Sequence, residues 1–148
     1  MISFRLANDA DKAFLLSLRK ASMNEHLHAA GLVLNDREHM ERIEEFYADS
    51  HLILYQQQAI GLLKLGMFSD RIHIRQFQIL PEFHGKGIGG RILLMLKRKA
   101  IEKQVSITLN VLLKNPAITL YLRHEFAVVG SNALEYNMRW QRPVTTLD

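Results

Sequence analysis

Cysteine is absent from the 148-residue chain, which excludes disulfides, thiolate catalysis and cysteine-ligated zinc. Redox chemistry therefore does not fix the compartment, and a cytoplasmic location is the expectation. No apolar run approaches the roughly 18 residues that a membrane span needs, so no membrane partner is expected. The opening stretch, Met1 to Asp9, is too short and too polar to read as a signal peptide. Internal repeats, low-complexity tracts and linkers are missing as well. The chain is accordingly read as a single domain over residues 1–148, long enough to bury a real core. The phosphate-binding pattern G-x-x-x-x-G-K-[ST] does not occur.

What is present is ordinary globular material, with 48% hydrophobic and 23% charged residues. The formal charge of +4 favours anionic partners without choosing among them. Basic residues cluster only at Lys97, Arg98, Lys99 and Lys103. With no aromatic platform beside them they read as a solvated helix face, and no nucleic-acid partner is expected.

The informative stretch is 76–94, in which Gly85, Gly87, Gly89 and Gly90 fall within six residues. Glycine permits positive φ and close approach of another molecule to the backbone. A helix N-terminus carries unpaired N–H groups and a partial positive charge. A glycine-rich turn entering a helix therefore suits a phosphate, and Lys86 and Arg91 add positive charge. Gly85 to Gly90 also satisfies G-x-G-x-x-G, but Pro81 to His84 separate it from the preceding strand. No carboxylate follows near Asn110, so the dinucleotide context fails.

The periodicity predicts a strand at Ile2–Leu6 and a helix from Asp9 to about residue 24, capped by Asn8. An irregular stretch, Met23 to Leu34, follows. A second helix starts near Asn35 with a capping-box contact from Glu38, and Met40, Ile43 and Tyr47 form its apolar face. Strands are predicted at 51–55, 59–66 and 71–80, then a helix over about 87–104 with Ile88, Ile92, Met95, Leu96 and Ala100 buried. A strand at 106–112 leads to Asn115-Pro116, a helix start in which asparagine caps and proline loses no needed N–H. A helix to about His124 and strands at 126–130 and 133–140 complete the chain. The order β-α-α-β-β-β-α-β-α-β-β implies an α/β fold with one mixed sheet flanked by helices.

Two stretches in register resemble a known family. Ile79-Leu80-Pro81-Glu82-Phe83-His84-Gly85-Lys86-Gly87-Ile88-Gly89 is similar to the acetyl-CoA-binding motif of the GCN5-related N-acetyltransferases (GNAT), usually Gln/Arg-x-x-Gly-x-Gly/Ala, with His84 in its first position. Asn115-Pro116-Ala117-Ile118-Thr119-Leu120-Tyr121 followed by Phe126 resembles the family's second motif, with Glu125 where glycine is usual. The element order over residues 2–140 also matches that fold.

The resemblance implies acetyl-CoA as cosubstrate, with no metal. It implies that pyrophosphate rests on the backbone of Gly85, Lys86, Gly87, Ile88, Gly89 and Gly90 beside His84. Pantetheine would lie between splayed strands and pair with backbone near Ile79 and Leu80, with Asn115 as a further contact besides its capping role. Tyr121 resembles the general acid that protonates the departing thiolate. The acceptor would be a small-molecule or protein amine.

The general base stays open among Glu25, His26, His28, His73, Gln78, Glu82 and a water chain, since the strand before the loop carries no carboxylate between Asp70 and Glu82. His26-x-His28 alone is a weak metal signal. A non-catalytic acyl-CoA-binding sensor is the rival to an enzyme. Strands near 133–140 could pair across a homodimer.

Overall fold

The computed structural model describes residues 1–143. Its elements are β1 (Ile2–Leu6), α1 (Lys12–Ala29), α2 (Asp36–Glu44), β2 (Ser50–Tyr55), β3 (Gln58–Met67), β4 (Arg71–Ile79), α3 (Ile88–Lys103), β5 (Ser106–Leu112), α4 (Ala117–Arg123), β6 (Ala127–Ser131) and β7 (Glu135–Trp140). Single turns of 3₁₀ helix occupy Asp9–Asp11, Tyr47–Asp49 and Pro81–Phe83. The seven strands hydrogen-bond in the order β1-β2-β3-β4-β5-β7-β6. Pairing is parallel between β4 and β5 and antiparallel for β1–β2, β2–β3, β5–β7 and β6–β7. This is the mixed α/β sheet that the element order implied. Among the described residues no helix is long and apolar enough to cross a membrane.

The described residues form two compact units: Met1–Leu65 with Arg75–Ile88, and Gly66–Ile74 with residues 89–143. In the first unit, Leu15 and Leu18 of α1 and Ile43 of α2 pack with Leu52 of β2 and Leu62 of β3. Burying each such side chain contributes about 1.5–3 kcal/mol relative to exposure. Leu80, Met40 and Tyr47 close the cluster's rim.

Helix α2 begins as predicted, whereas α1 begins at Lys12, three residues after the predicted start, because the cap expected of it closes the 3₁₀ turn Asp9–Asp11 that leads into it. Asn8 and Asp11 form a capping box, and Asp11 also binds Arg5 at 3.0 Å. Asn35 Oδ1 accepts from the Glu38 N–H at 2.9 Å while Glu38 accepts from the Asn35 N–H at 3.1 Å. Helix α1 is longer than its sequence pattern implied and absorbs Met23 to Ala29. No breaker lies in that stretch, and the stop comes only at Gly31, whose φ of +81° leads the Leu32 N–H back to the Leu27 carbonyl at 2.8 Å. The far end of α2 is closed by Lys64 of β3. Its ammonium donates to the carbonyls of Glu45 (2.7 Å), Ile43 (2.9 Å) and Arg42 (3.4 Å).

In the second unit, Ile92, Leu93, Leu96 and Ala100 of α3 are buried with Ile107, Leu109 and Val111 of β5. Met95, assigned to the buried stripe, is 41% exposed. The helix instead turns Leu93 and Lys97 inward, so the stripe leans to the opposite side of the 88-92-96-100 row. Lys97 sits 3.4 Å from Glu125 and over the Trp140 ring at 5.8 Å. Strand β7 pairs with β5 on one side and β6 on the other. Both edges of β7 are thus used within the chain, and β6 is the strand at that edge of the sheet.

Candidate functional site

Strand β4 ends where Leu80 sends its N–H to the Ile60 carbonyl at 2.8 Å and Pro81 opens a 3₁₀ turn. Phe83 in that turn packs edge-on against Tyr55, ring centroids 6.2 Å apart. The His84 N–H closes the turn on the Pro81 carbonyl at 3.0 Å. The His84 ring folds back, and Nε2 lies 2.7 Å from the Ile79 carbonyl oxygen. A carbonyl only accepts, so Nε2 carries the proton and donates. His84 thus ties the loop to the end of β4, and its Nε2–H is spent on that carbonyl rather than free for an anion.

Next come the two residues that explain the glycine density. Gly85 and Gly87 have φ of +75° and +78°, and a Cβ built on either would meet no atom within 4 Å. Packing therefore does not require glycine there; the left-handed backbone does, and the space in front stays open. Gly85, Lys86 and Gly87 are exposed, and Ile88, 1% exposed, anchors the start of α3. No acidic residue stands in the first turn of α3, so the positive end of its dipole is not neutralised by a carboxylate there. Gly90 has a different reason: its Cβ would stand 3.0 Å from His124 Nε2, a close approach to the end of α4.

On α4, Asn115 Oδ1 accepts from the Ala117 N–H at 2.9 Å, the capping role read from the sequence. Tyr121 is 7% exposed and meets Phe126 edge-on with ring centroids 5.8 Å apart. Among the described residues its hydroxyl has no hydrogen-bond partner and is not sealed from solvent. Burial pushes its pKa up to about 12, so it stays protonated across the physiological range. Glu125, where glycine is usual, adopts φ +69°: the turn keeps its left-handed geometry although an L-residue occupies it.

The first unit holds Ile79, Leu80, His84, Gly85, Lys86, Gly87 and Ile88; the second holds Gly89, Gly90, Asn115 and Tyr121. The glycine loop is continuous along the chain across that division. Of the base candidates, Glu25, His28 and Glu82 are exposed. His73 Nδ1 is 2.7 Å from Thr108 Oγ1. Gln78 is 7% exposed, and its side-chain oxygen is buried without a partner. Among the described residues no three His, Asp or Glu side chains are grouped to hold a metal.

Sequence reasoning passed over Gly61, where a Cβ would lie 2.3 Å from the Gln78 carbonyl oxygen. A lone glycine inside a strand pattern is the sign that could have found it. It also passed over the buried set Arg19, His39 and Lys64, for which the sequence carries no signal.

A family model described as the acetyltransferase (GNAT) domain matches residues 19–144. No curated protein matches the chain. Among solved structures, the PaiA N-acetyltransferase of Thermoplasma acidophilum in complex with coenzyme A is similar at TM-score 0.74 and 17% identity, over 95% of this chain and 99% of that one. Arabidopsis thaliana Naa50, bound to the bisubstrate analogue CoA-Ac-MVNAL, is similar at TM-score 0.69 and 17% identity, over 95% and 98%. A GNAT-family acetyltransferase of Bacillus anthracis is similar at TM-score 0.70 and 12% identity, over 95% of each chain.

Proposed function

The chain belongs to the GNAT acetyltransferase family, and from that premise we propose that it transfers the acetyl group of acetyl-CoA to a primary amine. The observation that carries this reading is the Gly85–Gly87 loop. Left-handed glycines facing open space at a helix start without an acidic first turn suit a pyrophosphate. Lys86 and Arg91 supply further positive charge. The similar PaiA and Naa50 structures hold coenzyme A and a coenzyme A conjugate, which supports the same class of cosubstrate here.

The amine attacks the thioester directly, because a chain without cysteine forms no acyl-cysteine. A C–N bond forms, the C–S bond breaks, and the leaving thiolate takes a proton. Tyr121 gives that sulfur a hydrogen bond, and the proton the thiolate takes is the one the amine gives up, by way of solvent: the Tyr121 hydroxyl is protonated, nearly buried and unspent. Raising its pKa to about 12 makes full transfer to a thiolate uphill against an ordinary thiol pKa of about 8.5. Its role is therefore a hydrogen bond that strengthens as charge develops on sulfur. The amine loses its own proton to solvent through one of the groups already named.

The test is release of free thiol from acetyl-CoA against a panel of amines. Thiol formed in step with acetylated amine supports the enzyme. Acetyl-CoA binding with no thiol release across the panel would reassign the chain to the sensor class.

A further inference from the structure

Arg19 is charged, 7% exposed, and has no acidic partner. It follows the fully buried Leu18 on α1 and makes one hydrogen bond, from Nε to His39 Nδ1 at 3.0 Å. Because Nδ1 accepts, the proton of that neutral imidazole sits on Nε2, 2.7 Å from Asn24 Oδ1. Asn24 and His39 thus fix the plane of the guanidinium without neutralising it. Its terminal nitrogens donate to nothing among the described residues, and neither is a sealed orphan. Both therefore remain reachable from solvent.

The missing partner is not for want of carboxylates nearby. Helix α2, which supplies His39, and the residue after it carry five, and each is engaged elsewhere. Asp36 pairs with Lys20, Glu41 with Arg37, Glu44 with Lys12 and Glu45 with Arg42, while Glu38 serves the capping box. The charge acting most on Arg19 is the like-charged Arg42. A buried charge is normally paired, and here two side chains, His39 directly and Asn24 through it, instead hold an unpaired cation in one orientation. The two free Nη groups form the fork that matches a carboxylate in bidentate fashion.

We propose that the Arg19 guanidinium docks a carboxylate carried by the acetyl acceptor. This rests on the acetyl-transfer reading above and names the acceptor class: amino acids or peptides presenting a free acid. Within the same unit, Leu18 shares its core with Leu80, the residue at which β4 enters the cofactor loop.

Two arms test it. In the first, kcat/KM is measured for L-amino acids and for the corresponding amides. The wild type prefers the acids by roughly ten- to hundredfold, the scale of a hydrogen-bonded charge pair, and Arg19→Gln removes the preference while leaving amide turnover in place. Arg19→Lys, which keeps charge but loses both the fork and the bond to His39, recovers only part of it and serves if the glutamine variant does not fold. In the second arm, glutarate raises the melting temperature of the wild type but not of Arg19→Gln, with no turnover required. Equal use of acids and amides by the wild type, or a glutarate shift retained in the variant, overturns the proposal. No turnover of any amine together with an Arg19-dependent glutarate shift leaves the docking point standing and removes the acetyl-transfer reading instead.

Discussion

Replacing Gly87 by alanine separates the two reasons for which a glycine can stand at a helix entrance. Its φ is +78° and an added Cβ meets nothing within 4 Å, so the substitution causes no clash. The cost is that of a left-handed L-residue, about 1–2 kcal/mol, offset by about 0.4–1 kcal/mol from the stiffer unfolded chain. The net loss of about 1 kcal/mol lowers the melting temperature by roughly 2–4 °C in a protein of this size. The methyl group, however, projects into the open space where the pyrophosphate is proposed to lie. Displacing two anion contacts, each about 0.3–1 kcal/mol and up to about 2 when partly buried, weakens acetyl-CoA binding by roughly 3- to 1,000-fold.

Calorimetric titration with acetyl-CoA and a thermal melt read the two effects separately. Gly90→Ala is the contrast, since its Cβ would press on His124 Nε2 at 3.0 Å and act on stability first. Wild-type affinity in Gly87→Ala, or affinity losses that track stability in both variants, would refute the assignment of the loop to an anion.

Three further perturbations follow from the same structure. Tyr121→Phe lowers kcat by roughly 100- to 1,000-fold with the acetyl-CoA KM little changed; equal kcat removes the residue from the chemistry. The same variant carries a pH signature in the melting curve. Because burial raises the folded pKa to about 12, the unfolded state releases its proton first above pH ~10, so wild-type stability falls between about pH 10 and 12, by roughly 2–3 kcal/mol. The phenylalanine variant lacks that component, and identical profiles would contradict the burial argument. Lys64→Met leaves three carbonyls at the end of α2 without their donor and destabilises by roughly 1–3 kcal/mol, read by denaturant titration; a loss below about 1 kcal/mol would show that water replaces the ammonium. Gly61→Ala drives a Cβ to 2.3 Å from the Gln78 carbonyl and should prevent soluble folding or lower stability by several kcal/mol, more than ordinary overpacking at about 1–3 kcal/mol.

The parts of this fold that were legible in the sequence are those set by local chemistry. Asn35 and Glu38 announce a capping box because each satisfies the other's backbone N–H. Asn115-Pro116 announces a helix start for the same kind of reason, and the glycine cluster announces a backbone that side chains would strain. Elements read by period survive with shifted ends: α1 runs on past its predicted end because only Gly31, not the polar Glu25, His26 and His28, stops a helix.

What the sequence hides is buried charge. Pattern reading places lysine and arginine outside, yet Lys64 caps α2 and Lys97 lies under Glu125 and Trp140. Arg19 escapes for the same reason, since its neighbours on α1 give no hint that His39, twenty residues on, will receive its Nε–H. Glu125 shows the opposite limit: a left-handed turn persists at φ +69° where its usual glycine signal is missing.

The central claim is that the glycine loop binds the pyrophosphate of acetyl-CoA. Calorimetric titration of the purified protein with acetyl-CoA, with NAD as control, tests it most directly. The account predicts micromolar binding of acetyl-CoA and none of NAD, with the acetyl-CoA signal lost in Gly87→Glu while the melting curve stays cooperative. Absence of acetyl-CoA binding by the wild type, or binding that survives in Gly87→Glu, would contradict it.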